Sequence, residues 1–166
     1  QLVQAFRKQF NIFAACGILY NHESERRGPE FVTRKITLSA AKIKLGLEKA
    51  LSLGSLDSRQ DWGYAPDYVE AMWLMLQADK PDGFIIATGE LHSVREVCTI
   101  AFSHLDLVYS DFVTIDQAFA RKTEASALVG NPAKAKATLG WQPKTSFKDM
   151  IINMVDHDLK LCQKLH

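Results

Sequence analysis

The sequence of 166 residues contains no apolar run close to the ~20 residues that a membrane-spanning helix needs. Its first residues form an amphipathic segment without a signal-peptide pattern. An excess of one charge is missing too, because 20 basic residues balance 19 acidic ones and leave a net charge of +1. We therefore expect a soluble chain with neither membrane nor nucleic acid as a partner, in which any bound anion must meet local cations.

Cysteine is scarce and scattered. The three residues, Cys16, Cys98 and Cys162, lie far apart in apolar segments. Such a set is typical of reduced core thiols rather than of a disulfide framework or a zinc site, and it favours a cytoplasmic protein. No group of His, Cys, Asp or Glu has metal-ligand spacing, so we expect no metal.

Hydrophobic periodicity predicts an α/β fold. Residues 1–10 have helical spacing without a capping residue before them, and the unbroken apolar run 12–20 predicts a strand buried on both faces of a parallel sheet. The polar stretch 21–29 would then follow at the carboxyl edge, where open α/β sheets bind their ligands. The three tryptophans, Trp62, Trp73 and Trp141, are expected to pack in the core. Later segments are predicted as helices at 31–50, 66–76, 93–105, 131–140 and from 146 onward, strands at 51–54 and 84–88, mixed β structure at 107–115, and loops at 55–63 and 116–129.

Six motifs in a fixed order carry a family resemblance. They are Asn21-His22-Glu23-Ser24-x-Arg26-Arg27-Gly28, Phe31-Val32-Thr33-Arg34-Lys35-Ile36, Asp61-Trp62-Gly63, Asp67-Tyr68-Val69-Glu70-Ala71-Met72-Trp73, Ala87-Thr88-Gly89-Glu90-x-His92-Ser93-Val94-Arg95-Glu96 and Leu139-Gly140-Trp141-x-Pro143. Together they closely resemble the GDP-mannose 4,6-dehydratase family of extended short-chain dehydrogenase/reductase enzymes. The last motif is shared widely in that superfamily, whereas the first two are specific.

The resemblance implies the C-terminal part of an NAD(P)-binding Rossmann-like fold and a smaller sugar-nucleotide-binding lobe. Residues 1–30 and 50–90 would belong to the sheet side, and residues 31–49 and 91–166 to the lobe. In the family, NADP takes a hydride from C4 of GDP-mannose, water is lost across C5 and C6, and the hydride returns to C6. The product would be GDP-4-keto-6-deoxymannose, and the full-length enzyme would be a dimer or tetramer.

The motifs that perform this chemistry are missing from the sequence. It has no Gly-x-x-Gly-x-x-Gly turn for a pyrophosphate, and no tyrosine is followed four residues later by lysine. In the family that tyrosine and lysine lie on the helix that leads into Asn21, which matches the uncapped helical start. We therefore expect a piece of a longer enzyme, cut within the catalytic helix and inactive alone, with an open apolar surface through which it associates.

Four cations follow the predicted strand end within ten residues: Arg26, Arg27, Arg34 and Lys35. Guanidinium groups match phosphate oxygens well, so this cluster favours phosphate binding. By resemblance, His22 and Arg27 would contact NADP, together with Arg26 on a loop that crosses to the neighbouring subunit's cofactor. The resemblance assigns the GDP-sugar to Asn21, Val32 and Lys35.

Two further positions concern the nucleotide diphosphate and the guanine. The family carries arginine directly before Asp-Trp-Gly, whereas this chain has Gln60 there and Arg59 one place earlier, so diphosphate binding is expected to be weaker unless Arg59 reaches the same phosphate. Arg121 and Glu124 resemble the family's Arg-x-x-Glu, in which a carboxylate accepts the guanine N–H groups.

Two alternatives stay open beside the dehydratase. One is a related reductase or epimerase acting on the resulting keto-sugar, which the change at Gln60 keeps in play. The other is a nucleotide-sugar-binding module without catalysis, which binding of GDP or UDP would test.

Overall fold

The computed structural model describes residues 1–116, 118 and 127–164. The helices in this part of the chain are α1 (Leu2–Phe10), α2 (Val32–Lys44), α3 (Ala65–Gln77), α4 (Val94–His104), α5 (Ala133–Leu139) and α6 (Phe147–Lys164), with a 3-10 turn at Tyr109–Asp111. The strands are β1 (Cys16–Leu19), β2 (Asn21–Glu23), β3 (Leu51–Leu53), β4 (Arg59–Gln60), β5 (Trp62–Tyr64), β6 (Gly83–Ile86), β7 (His92–Ser93) and β8 (Val113–Ile115).

One extended segment, β1 followed by β2, changes partner along its length. β1 pairs in parallel with β6, and β2 pairs in parallel with β5, with Asn21 opposite Trp62. The Tyr20 N–H between them donates to the Ile86 carbonyl at 2.9 Å. β3 and β8 form a further parallel pair, while β4 and β7 are antiparallel. The predicted α/β fold with parallel strands is therefore confirmed.

The predicted strand over 12–20 is wrong in extent and in burial. Only residues 16–19 form β1, and Ile18 is 57% exposed. Among the described residues β1 has one strand neighbour, β6, and the face that carries Ile18 is open. An apolar run forms a strand buried on both faces only where other elements pack against both of those faces.

Two apolar clusters form the interior. The first joins α2, α4 and α6 with β3 and β5, and the second joins α3, β6, α5 and Trp141. Trp62 and Trp141 are buried as predicted, but Trp73 is 59% exposed, so its predicted core role is wrong. On α3 the buried apolar positions are Tyr68, Ala71 and Met75, which leaves Trp73 on the opposite side of the helix.

Local signals placed several helix ends correctly. Ser93 and Glu96 form the predicted capping box of α4, and Gly140 ends α5 in the left-handed conformation at φ 66°. The region 55–63 is not a loop throughout, because it contributes β4 and β5. Cys98 and Cys162 are buried free thiols, and Cys16 is a partly buried one. In the described part of the chain, no helix has the length and apolarity to cross a bilayer.

Candidate nucleotide-binding site

Asn21 and Gln60 meet beside the parallel pair β2 and β5. The Asn21 side-chain Nδ2 donates to the Gln60 Oε1 at 3.2 Å. Asn21 begins β2 opposite Trp62, and Gln60 ends β4 two residues before Trp62, so the pairing of β2 with β5 brings the two amides close together. Each amide keeps further donor and acceptor capacity, which suits recognition of a polar ligand.

His22 is held from two directions. Its Nδ1 lies 2.8 Å from the Tyr20 carbonyl oxygen, and its ring stacks on Tyr68 with the centroids 5.1 Å apart. Tyr68 is fully buried and packs so closely on Gly63 that a Cβ there would lie 2.4 Å from the Tyr68 ring. Burial, assisted by nearby carboxylates, raises the pKa of Tyr68 and keeps the phenol neutral. The imidazole therefore has one fixed orientation.

Glu23 is a buried carboxylate at the end of β2, just before the loop that carries Arg26 and Arg27. Thr33 donates its hydroxyl to Glu23 Oε2, and the Nε of Arg27 lies 3.2 Å from the same oxygen. Burial raises the pKa of Glu23, while Thr33, Arg27 and His22 act to lower it. The Arg27 guanidinium also lies 3.5 Å above the centre of the Phe31 ring. His22 and Arg27, which the resemblance assigns to NADP, are thus grouped around Glu23.

Arg34 does not belong to a phosphate-binding cluster. Its side chain is buried, and its Nε and Nη2 form a fork on Asp158 at 2.7–3.0 Å. Arg26, in contrast, is exposed on the loop. The predicted grouping of Arg34 with its neighbouring cations is therefore wrong, because the carboxylate that binds Arg34 comes from Asp158 on α6.

Val32 and Lys35 lie on the first turn of α2. Val32 is partly buried against the first apolar cluster. The Nζ of Lys35 donates to the Ser52 carbonyl of β3 at 2.7 Å. The structure thus directs Lys35 toward β3. The predicted guanine-side residues Arg121 and Glu124 lie outside the described residues.

Arg59 and Gln60 are consecutive residues of β4. The direction of their side chains decides whether Arg59 can reach the phosphate that an arginine at position 60 would bind. Arg59 is paired with Ser93 and is exposed, whereas Gln60 contacts Asn21. Neighbouring side chains of a strand point to opposite faces. Arg59 therefore lies on the face away from Asn21.

The family sequence model described as GDP-mannose 4,6 dehydratase matches residues 1–154 of this chain. This chain belongs to that family. The resemblance inferred from the six motifs is thereby confirmed.

Relatives in the family come from distant organisms. The chain is 49% identical to GDP-mannose 4,6 dehydratase 2 of Arabidopsis thaliana over 159 residues, which cover 96% of the chain and 43% of the relative. It is 47% identical to the Homo sapiens GDP-mannose 4,6 dehydratase, covering 96% of the chain and 48% of that protein. The chain thus spans about half the length of the relatives it matches.

Solved structures support the fold class. The structure of RMD from Pseudomonas aeruginosa complexed with NADPH is similar with a TM-score of 0.88 at 17% identity, over 96% of this chain and 53% of that one. A dTDP-glucose 4,6-dehydratase from Bacillus anthracis in complex with NAD is similar with a TM-score of 0.77 at 19% identity, over 96% of this chain and 49% of that one. The fold is accordingly Rossmann-like.

Asp61 is a further organising residue of this GDP-mannose 4,6-dehydratase family member; the sequence places it in the Asp61-Trp62-Gly63 motif but does not reveal this structural role. The fully buried carboxylate accepts from Thr88 N and Oγ1, Gly89 N and Gly130 N at 2.6–3.1 Å. It thereby ties the turn between β4 and β5 to the end of β6 and to Gly130. The available signal was a single carboxylate between Gln60 and Trp62, which sequence alone does not distinguish from an exposed loop residue.

Proposed function

We propose that this chain supplies the sugar-nucleotide-binding side and part of the NADP site of a GDP-mannose 4,6-dehydratase. Such a lyase converts GDP-mannose to GDP-4-keto-6-deoxymannose and water. The observation that carries the proposal is that Asn21 and His22 lie on β2, directly before the Arg26-Arg27 loop, with Asn21 in contact with Gln60. In this proposal residues 1–30 and 50–90 form the sheet side, and residues 31–49 and 91–166 form the substrate lobe.

NADP suits the donors at this strand end. Arg26 is exposed, and Arg27 is braced by Glu23 and Phe31, so two guanidinium groups are available near the surface for phosphate oxygens. His22 would orient the cofactor through its Nε2 edge, because its Nδ1 is engaged by the Tyr20 carbonyl. The bound cofactor supplies the hydride acceptor and donor. The NADPH complex of the similar RMD supports this choice of cofactor.

Recognition of GDP-mannose would rest on other residues. Asn21 and Gln60 would offer amide groups to the sugar or diphosphate, and Val32 and Lys35 would border the same ligand from α2. Arg121 and Glu124 would meet the guanosine end, where a carboxylate accepts two guanine N–H groups. Arg59 would contribute little, because it lies on the opposite face of β4.

Turnover needs groups that this sequence does not contain. Without a Gly-rich turn and a Tyr-x-x-x-Lys pair, the chain alone would bind ligands and not convert them. The Arg26-Arg27 loop would reach the cofactor of a neighbouring subunit, which requires a dimer or tetramer of the complete enzyme.

Two measurements test this function. Calorimetry of this chain should show binding of GDP and much weaker binding of UDP, and replacing Glu124 by glutamine should reduce that preference. A longer chain that joins this sequence to the other half of a family member should convert GDP-mannose with NADP to a keto-sugar. Absence of that product would contradict the dehydratase, and conversion of the keto-sugar alone would favour a reductase or epimerase.

A further inference from the structure

The loop that carries Arg26 and Arg27 forms a compact turn. The Arg26 N–H donates to the Ser24 hydroxyl at 3.1 Å, and the Arg27 N–H donates to the Ser24 carbonyl at 3.0 Å. These bonds shape the loop but do not attach it to the rest of the molecule. Attachment requires contacts from another element.

Arg34 of α2 provides such contacts. Its Nη1 donates to the carbonyl oxygens of both Glu25 and Arg27, the latter at 3.1 Å. The guanidinium is a rigid fork with five donors, so one side can bind the loop while the other binds a carboxylate. In this chain one residue thus connects the backbone of the loop to a buried ion pair.

Asp158 of α6 fixes the other side of that guanidinium. It is fully buried, and it binds Nε and Nη2 of Arg34 at 2.7–3.0 Å. Thr37 adds a hydroxyl donor to the same carboxylate at 2.7 Å. Asp158 therefore leaves Arg34 no alternative rotamer without an unpaired buried charge.

We propose that Arg34 and Asp158 are positioning residues that hold the Arg26-Arg27 loop in the conformation that binds the phosphate groups of NADP. This inference rests on the function proposed above. It makes the last helix of the chain, through Asp158, a determinant of cofactor affinity. Neither residue would itself touch the cofactor.

The decisive variant replaces both members of the pair, Arg34→Met together with Asp158→Leu. Exchanging a buried ion pair for apolar groups of similar volume is often neutral for stability, so the fold should persist while the loop carbonyls lose their donor. We expect amide hydrogen exchange at Arg26 and Arg27 of this chain to accelerate by about tenfold or more. The longer chain that joins this sequence to the other half of a family member should bind NADPH about tenfold more weakly by calorimetry. Exchange in α4 should stay unchanged.

A second variant, Arg34→Lys, tests the same role independently if the double variant unfolds. Arg34→Lys keeps the ion pair with Asp158, but a single ammonium group cannot also span both loop carbonyls. It should accelerate exchange in the loop alone. The matched control is Asp57→Asn, which removes the exposed pair with Arg95 and should leave the loop unaffected.

The outcomes separate the two proposals. If Arg27→Ala leaves the NADPH affinity of the longer chain unchanged, the proposed function is wrong whatever the exchange data show. If Arg27→Ala weakens binding while the double and lysine variants keep normal loop exchange and affinity, the positioning role is overturned.

Discussion

At the scale of residues, buried carboxylates fix the segments around the candidate site. Asp67 accepts from the backbone N–H groups of Lys144 and Thr145 at 3.0 Å each, and Asp61 does the same for three backbone N–H groups. A buried carboxylate is tolerated only when hydrogen bonds replace its water. These residues therefore act as structural anchors that connect distant loops.

Gln60 gives a direct test of diphosphate binding. Replacing it by arginine would restore the residue that the family carries before Asp-Trp-Gly, on the face of β4 that Asn21 already occupies. A charge-assisted hydrogen bond contributes about 1.5–3 kcal/mol, so GDP affinity should rise by about tenfold or more in calorimetry.

The matched control for that substitution is Arg59→Gln. Because Arg59 lies on the opposite face of the same strand, its loss should change GDP affinity little. A large loss with Arg59→Gln, or no gain with Gln60→Arg, would show that the diphosphate lies on the other face.

Only part of this site was predictable from residue order. The exposure of Arg26 and the position of Asn21 just after β1 follow from local pattern. The role of Arg34 does not, because its partner Asp158 is 124 positions away and sequence gives a charge without its burial. Residue order does not reveal which distant positions come into contact.

At the scale of elements, α4 has the best-defined start. The Ser93 hydroxyl accepts from the Glu96 N–H at 3.2 Å, and Glu96 Oε2 accepts from the Ser93 N–H at 2.7 Å. Burial raises the pKa of Glu96, but hydrogen bonds from Ser93 and His92 outweigh it and lower the pKa to about 2. A folded pKa below the ordinary value means that ionised Glu96 stabilises the helix above about pH 4.5.

Replacing Glu96 by glutamine should therefore have a pH-dependent effect. At neutral pH the free energy of unfolding should fall by about 1 kcal/mol, the usual strength of such a cap, since a half-exposed carboxylate is screened by water. The difference from wild type should shrink as pH falls from 4.5 toward 2. Urea unfolding across this range measures the difference, with Glu30→Gln as control because Glu30 is exposed and lies outside this cap. A difference that stays constant with pH would contradict the assignment.

Helices were predicted better than strands for a physical reason. Ser93, Gly140 and Ser146 mark helix ends through local hydrogen bonds or backbone conformation, which residue type encodes directly. The two-residue β4 instead forms because β7 pairs with it, and hydrophobic periodicity cannot detect so short a strand.

At the scale of the whole molecule, an apolar surface extends from β1 to α3. A groove of about 300 Å³ opens there between the strand and the helix. Its lining residues are Ala15, Gly17, Leu19, Met72, Met75 and Leu76. Trp73, also on α3, extends the exposed apolar area next to the groove, whereas Ile18 is exposed on the other face of β1. Contiguous apolar surface of this kind usually marks a contact region.

We expect this chain to associate with further copies of itself through that surface at micromolar concentration. Leu76→Glu would place a charge at the groove and should shift the sedimentation profile toward monomer, because burying an unpaired carboxylate is costly. Val108→Glu is the control, since Val108 and Leu76 are both 61% exposed but Val108 follows α4, outside the groove. A monomeric wild-type chain, or equal effects of the two substitutions, would show that the β1–α3 surface does not drive association.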